Sequence, residues 1–148
     1  METKKMKFET PAGFWKFLKL KPVKFLLSSL IGGFGMWVIA GLWHNLILPG
    51  IDSRVQAHHD GLALMLISYF ILAFFIAYIY SISYKGGNLV IEGLKIGVVV
   101  GIVWVFPHGL TMAGAHNTSI TYEINNAIYH VVEQGIGGII NASIFGKL

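Results

Sequence analysis

The sequence predicts an all-α membrane protein: a four-span antiparallel transmembrane helix bundle with both termini on the cytoplasmic side. Three observations lead there. Of the 148 residues, 55% are hydrophobic and only 12% charged, where a soluble domain carries about 25% charged residues. Four long apolar runs take up most of the chain. The ten lysines then sort by side: Lys4, Lys5, Lys7, Lys16, Lys19, Lys21, Lys24, Lys85, Lys95 and Lys147 fall on one face of such a bundle, and only Arg54 on the other. Basic residues concentrate in cytoplasmic segments, so this sorting fixes an N-in, C-in orientation.

The elements follow in order. Residues 1–22 form a basic tail with a short interfacial helix, Thr10 serving as N-cap and Pro11 as first helical residue. Phe14, Phe17 and Leu18 share the face turned to the membrane, with Lys16 and Lys19 turned away, and Pro22 ends the helix. A disordered basic tail is the alternative. The first span covers about residues 23–48 and stops at Pro49-Gly50. It is too long for a signal-peptide core of ~7–15 residues, so it reads as a retained span. Residues 51–60 form the first outer loop, with Asp52, Arg54, His58 and His59.

The second span covers about 61–84 and ends at Lys85-Gly86-Gly87; the third covers about 89–110. A polar loop over 111–121 leads to the fourth span at about 122–145. Each run is near the ~20 residues that cross ~30 Å of hydrocarbon. The connections leave no room for a soluble catalytic domain, so the chain is a single membrane domain. Trp15, Tyr84 and Tyr122 lie at interfaces, where amphipathic rings are favoured. Gly41-Leu42-Trp43-His44 echoes the stretch from Gly101 to Trp104 and His108, as a duplicated hairpin would.

Composition excludes several functions. With no cysteine there are no disulfides, thiolate nucleophiles, Cys-ligated zinc or iron–sulfur clusters. The pI near 9.4 does not indicate nucleic acid, because seven of the ten lysines lie at or before the start of the first span. Such a cluster anchors against anionic lipid.

Chemistry, if any, concentrates on the fourth span. Glu123, Asn126, His130, Glu133, Gln134, Gly137 and Asn141 share one sector, and Ile124, Ala127, Ile128, Val131, Val132 and Ile139 face the opposite way. Polar groups in hydrocarbon are expensive, so this sector must face other helices or a wet cavity. Glu133 stands near mid-span and must be protonated or paired, with His130 and Lys95 as candidates. On the third span Gly93, Gly97 and Gly101 make a small-residue ridge for close helix contact, continuing toward Trp104 and His108 past Pro107. Ser29, Gly33, Ala40 and His44 mark a comparable face on the first. His44, His108 and His130 are therefore expected to meet in one half of the bundle, with Glu133 beneath.

Four readings compete for these groups. They lock the packing by interhelical hydrogen bonds, as Asn125, Asn126 and Asn141 suggest. Alternatively, Glu133, His130 and the outer histidines form a proton or solute path. A haem b between His130 and either His44 or His108 is the third reading. A metal at His130 and Glu133, at His44 and His130, or at His58-His59-Asp60 is the fourth. Elsewhere, Glu92 and Lys95 pair at i,i+3, and Asn117-Thr118-Ser119 matches a glycosylation sequon. Gly32-Gly33-Phe34-Gly35 lies inside a span and opens no phosphate site.

Tyr129-His130-Val131-Val132 followed by Gly137-Gly138-Ile139-Ile140 resembles the last helix of a family of small prokaryotic membrane proteins, the domain of unknown function seventeen sixty-one. In that resemblance Trp43-His44 and Gly97/Gly101 take the places of an outer Trp on the first helix and of a Gly-rich third helix. His44 stands where the family carries an aromatic. The resemblance implies a four-helix bacterial or archaeal membrane protein and brings no activity with it.

The expectation is a non-enzymatic protein of a prokaryotic plasma (inner) membrane, with the lipid bilayer as its surroundings. It would act as an accessory subunit of a membrane complex or as a self-associating bundle, using exposed glycine ridges. A small proton-coupled transporter working through the polar stripe is the alternative, and a haem- or metal-bearing redox subunit the third.

Overall fold

The computed structural model describes residues 22–48 and 61–147. Those residues form four helices and no strand. Helix α1 spans Pro22–Leu42 and continues into a π-helical turn, Trp43–Ile47; α2 spans Leu62–Ser83, α3 Leu89–His116 and α4 Ile120–Lys147. The expected interfacial helix and the first loop, with Arg54, His58 and His59, lie outside the described residues. Three helices are long and apolar enough to cross a membrane: α1 with its π turn, α2 and α3.

Helix α4 fails that criterion for a reason visible in its packing. Glu133, Gln134, Gly137 and Asn141 are buried, whereas Ile120, Ile124, Ile128, Val132 and Ile136, four residues apart, are all exposed. The helix has an apolar outer stripe and a polar inner one. Averaging over both faces cancels the signal.

The third helix runs further than its sequence suggests, to His116 rather than about residue 110. Pro107 lies inside it, and the Thr111 hydroxyl donates to the Pro107 carbonyl at 2.8 Å. Met112, Ala113 and Ala115 continue the helix readily. Asn117 then stops it in the left-handed conformation, at φ 54°. The loop expected over 111–121 therefore shrinks to three residues. At the other end, Gly86 and Gly87 take φ 104° and 116°, which side chains resist. The Asn88 side chain caps α3, accepting from Val90 N at 2.9 Å and Ile91 N at 3.3 Å.

Helices α3 and α4 make the most intimate pair. A Cβ added at Gly93 would stand 2.7 Å from the Ala142 Cβ; at Gly97, 2.7 Å from the Gln134 carbonyl carbon; at Gly101, 3.0 Å from the Val131 Cα. Residue numbers climb on one helix as they fall on the other, so the two run in opposite senses. Helix α1 crosses α4 likewise, with Gly32 against Asn141, Met36 against Gly137 and Trp43 against Tyr129. Met36, Ala40, Tyr69, Ala73 and Ile76 fill the core between α1 and α2. Helices α2 and α3 barely touch, leaving a cleft.

The glycine ridges are thus used up within the molecule. Gly93, Gly97 and Gly101 are buried against α4, and Gly137 against Met36. The expectation of exposed glycine ridges is corrected: small residues let a neighbouring helix approach closely, and here α4, or α1 at Gly137, takes that place.

Candidate functional site

The site is built on the π turn of α1 and the middle of α4. A π turn carries an extra residue per turn and re-aims the side chains around it. Here the Asn45 amide donates to the Gly41 carbonyl at 2.9 Å. Trp43 stacks on Tyr129 at 4.5 Å with only 5° between the planes. His44 meets the same Tyr129 edge-on at 5.6 Å, and its ring lies 6.2 Å from that of His130.

Beneath these rings Glu133 is fully buried, at 0% exposure. Its Oε1 accepts from the Tyr129 hydroxyl at 3.0 Å, and its Oε2 lies 2.7 Å from His130 Nδ1. A long contact at 3.4 Å joins Oε2 to the Gln134 amide, and Tyr69 of α2 faces the same carboxyl. Residues one turn apart on α4 supply the Tyr–Glu and His–Glu contacts, so the helix itself sets their geometry. A buried carboxylate is tolerated when its lone pairs are filled and a cation stands beside it. Here both oxygens of Glu133 have hydrogen-bonding partners, and the His130 imidazole stands beside them.

Above the couple lies a cavity of about 420 Å³. Met65, Ser68, Tyr69, Ile71, Leu72 and Phe75 of α2 form one wall and Trp104 of α3 another, with His44 and His130 on the floor. Trp104 packs on His130 with ring centroids 5.4 Å apart. This is the size and make-up of a small-molecule site: mostly apolar, with a few converging polar groups.

Two of the three expected histidines therefore come together. His44 and His130 meet, whereas His108 is exposed and lines no part of the cavity, its ring centroid 6.1 Å from that of Trp104. The four-residue repeat of the α3 ridge passes through Gly101, Val105 and Gly109, all buried. His108 precedes Gly109 by one residue, which turns it about 100° off that stripe. Lys95 does not reach Glu133 either; it pairs with Glu92 at 2.8 Å on the exposed side of α3.

The remaining candidates sit around the site. Gln134 is fully buried with its Oε1 lacking a hydrogen-bond partner, and Asn126, half-buried, leaves its Oδ1 equally unpartnered. Asn141 belongs to a separate contact further along α4: it accepts from the Ser28 hydroxyl at 3.1 Å and donates to the Gly137 carbonyl at 3.0 Å. Glu123 is buried and accepts from Thr118 at 2.7 Å, tying the start of α4 to the preceding turn.

Tyr69 and the whole α2 wall escaped the sequence reading. The signal available was weak: Tyr69 is one of three tyrosines in a helix that also holds three phenylalanines.

The metal and haem readings find little support in this geometry. Among the described residues no three His, Asp or Glu side chains stand close enough to hold a metal ion; His58 and His59 lie outside them. His44 and His130 face each other, but Tyr129 completes a triangle with both rings, at 5.6 Å and 4.9 Å. An aromatic ring thus stands on the flank that a macrocycle coordinated between the two imidazoles would need.

Comparison of the chain with known protein families, with curated proteins and with solved structures finds no match.

Proposed function

We propose that this is a four-span protein of a prokaryotic plasma membrane, with both termini cytoplasmic, acting as a small proton-coupled carrier. One observation carries the functional reading: a fully buried carboxyl, Glu133, is bonded to a histidine that forms the floor of a 420 Å³ cavity. Ionisable groups held inside a membrane helix mark proton and solute paths. A ligand seated on His130 would change the balance of the His130–Glu133 couple, and a proton shifted on the couple would change the floor the ligand meets. The groups facing that couple are His44 of α1, Tyr69 of α2 and Tyr129 of α4; α3 contributes only the neutral Trp104. The accessory-subunit and self-association readings lose the ridges they relied on.

The fourth span is supported by the apolar outer stripe of α4 and by its 28 residues, about 42 Å of helix at ~1.5 Å per residue. Because the chain lacks cysteine, single-cysteine labelling reads topology cleanly. Cysteines at positions 4 and 147 should react only from the cytoplasmic side, and one at 114 only from the opposite side. Function is tested in proteoliposomes enclosing a pH-sensitive dye, to which outward gradients of small amphipathic solutes are applied. Proton movement coupled to one of them should vanish in Glu133→Gln. Coupled movement that persists in that variant refutes the proposal.

A further inference from the structure

We infer that the cavity receives its ligand sideways from the lipid phase, and that the ligand is of the quinone class: a neutral planar ring bearing carbonyls, with an apolar tail. This rests on the His130–Glu133 reading above and names the substrate class for the same site.

The route is set by where the cavity lies. Its mouth is the cleft between α2 and α3, the adjacent pair that barely touches. Ile71 is 55% exposed, Phe75 51% and Trp104 38%. Ile71 and Phe75 stand nine and thirteen residues into α2, roughly 14–20 Å along a helix long and apolar enough to cross a membrane. Exposure at that depth is exposure to lipid, so a molecule dissolved in the bilayer reaches the mouth directly.

The head group is set by charge. His130 and Glu133 compensate each other, and Tyr69 and Trp104 add no charge. A carboxylate entering here would be buried near that of Glu133, and an ammonium near two imidazoles. Both are heavily penalised in a low-dielectric site. A neutral head meets no such penalty.

The shape of the head is set by the walls. Tyr69, Phe75, Trp104, His44 and His130 surround the space with flat rings, which offer stacking and edge contacts to a planar ligand. A tail leaving between Ile71, Phe75 and Trp104 would remain among lipid chains.

The hydrogen-bonding pattern narrows the class further. His130 engages Glu133 through Nδ1, which leaves Nε2 for the cavity. With the ring protonated, Nε2 donates, as a quinone carbonyl requires; with the ring neutral and its proton on Nδ1, Nε2 accepts, as a quinol hydroxyl requires. One floor thus serves both forms of the ring, selected by a proton. The inference concerns binding, and no electron transfer is invoked.

The test uses full-length protein in lipid nanodiscs, with tryptophan quenching by a decyl-tailed benzoquinone as readout. Infrared spectra recorded with and without the probe follow the Glu133 carboxyl, its band assigned by its loss in Glu133→Gln. Quenching should saturate at low probe-to-lipid ratio. It should weaken at least tenfold in Leu72→Phe and in Ser68→Phe, which narrow the α2 wall and leave the polar floor intact; unchanged helical circular dichroism certifies that each is folded. Decanoate should not compete. Non-saturating quenching, equal in wild type and both wall variants, overturns the inference, as does decanoate competing as well as the quinone. If the quinone fails but another solute perturbs the Glu133 band, the ligand class is wrong and the proton-coupled site stands. If the quinone binds saturably and the band never responds, the proton coupling is wrong and the lateral site stands.

Discussion

Gly97→Ala is the sharpest perturbation the structure offers. The added Cβ would run into the backbone carbonyl oxygen of Gln134 and would lie 2.7 Å from the carbonyl carbon and 2.9 Å from the Gly135 Cα. Carbon atoms rest at roughly 3.5–4.0 Å, so α4 must retreat by about 1 Å. Backbone cannot rotate aside as a side chain would. A gap of ~0.5–1 Å forfeits a quarter to a half of each contact's attraction, and overpacking of this kind costs about 1–3 kcal/mol. Alanine's better helix propensity returns up to ~1 kcal/mol. Because every close contact is with backbone, the upper half of that range applies, about 2–3 kcal/mol; the net loss expected is about 1–2 kcal/mol, and the retreat displaces Gln134 and Glu133 with it. Two neighbours calibrate the figure. At Gly101 the new Cβ meets the Val131 Cα at 3.0 Å and the movable Gln134 side chain at 3.2 Å, and at Gly114 it meets nothing within 4 Å. Gly101→Ala should therefore cost less than ~1 kcal/mol, and Gly114→Ala should be neutral or stabilising by up to ~1 kcal/mol. Reversible unfolding in mixed detergent micelles, followed by circular dichroism, ranks the three. Should Gly97→Ala prove as stable as wild type, or Gly114→Ala the worst of the set, the α3–α4 interface as described is wrong.

Three further outcomes follow from the site and its frame. Glu133→Ala removes the acceptor shared by Tyr129, His130 and Gln134 and should cost about 3–5 kcal/mol in the same unfolding assay, far more than Glu133→Gln, which keeps an oxygen for one donor. Asn88→Ala deletes the cap of α3 and should cost about 1 kcal/mol with no change in ligand binding. Haem titrated into the purified protein should give no bis-imidazole spectrum; a low-spin Soret band lost in both His44→Ala and His130→Ala would restore the haem reading.

The helices, and two parts of the site, were legible in the sequence because local signals carry them. Apolar runs and turn residues locate four helices because those signals act over a few residues at a time. The polar stripe of α4 placed Glu133 and His130 on one face for the same reason: both lie on one helix, one turn apart. What failed needed information from a second helix. His108 was expected beside His130 because a ridge was extended to the neighbouring aromatic, and a shift of one residue turned it outward. Tyr69 went unnoticed because its significance comes from the carboxyl across from it on α4. The glycine ridges were read correctly as contact surfaces, but nothing along one strip of chain tells whether the partner is a later helix or another molecule.

The three-residue turn at 117–119 matters for how the protein is made. An inserting chain partitions by hydropathy, and α4 taken alone, carrying Glu123, Asn125, Asn126, Glu133, Gln134 and Asn141, would be a poor candidate to stay in lipid. On the proposed four-span topology, its insertion would be a docking event. The groove of α3 is already presented when α4 emerges, and a tight turn holds the newcomer at high effective concentration beside it. Biogenesis and site assembly would then be one step: until α4 lodges, the site lacks the Glu133 carboxyl and the His130 half of its floor. A chain halted after α3 would expose its glycine groove to the bilayer, an unfinished surface open to other helices or to a membrane protease.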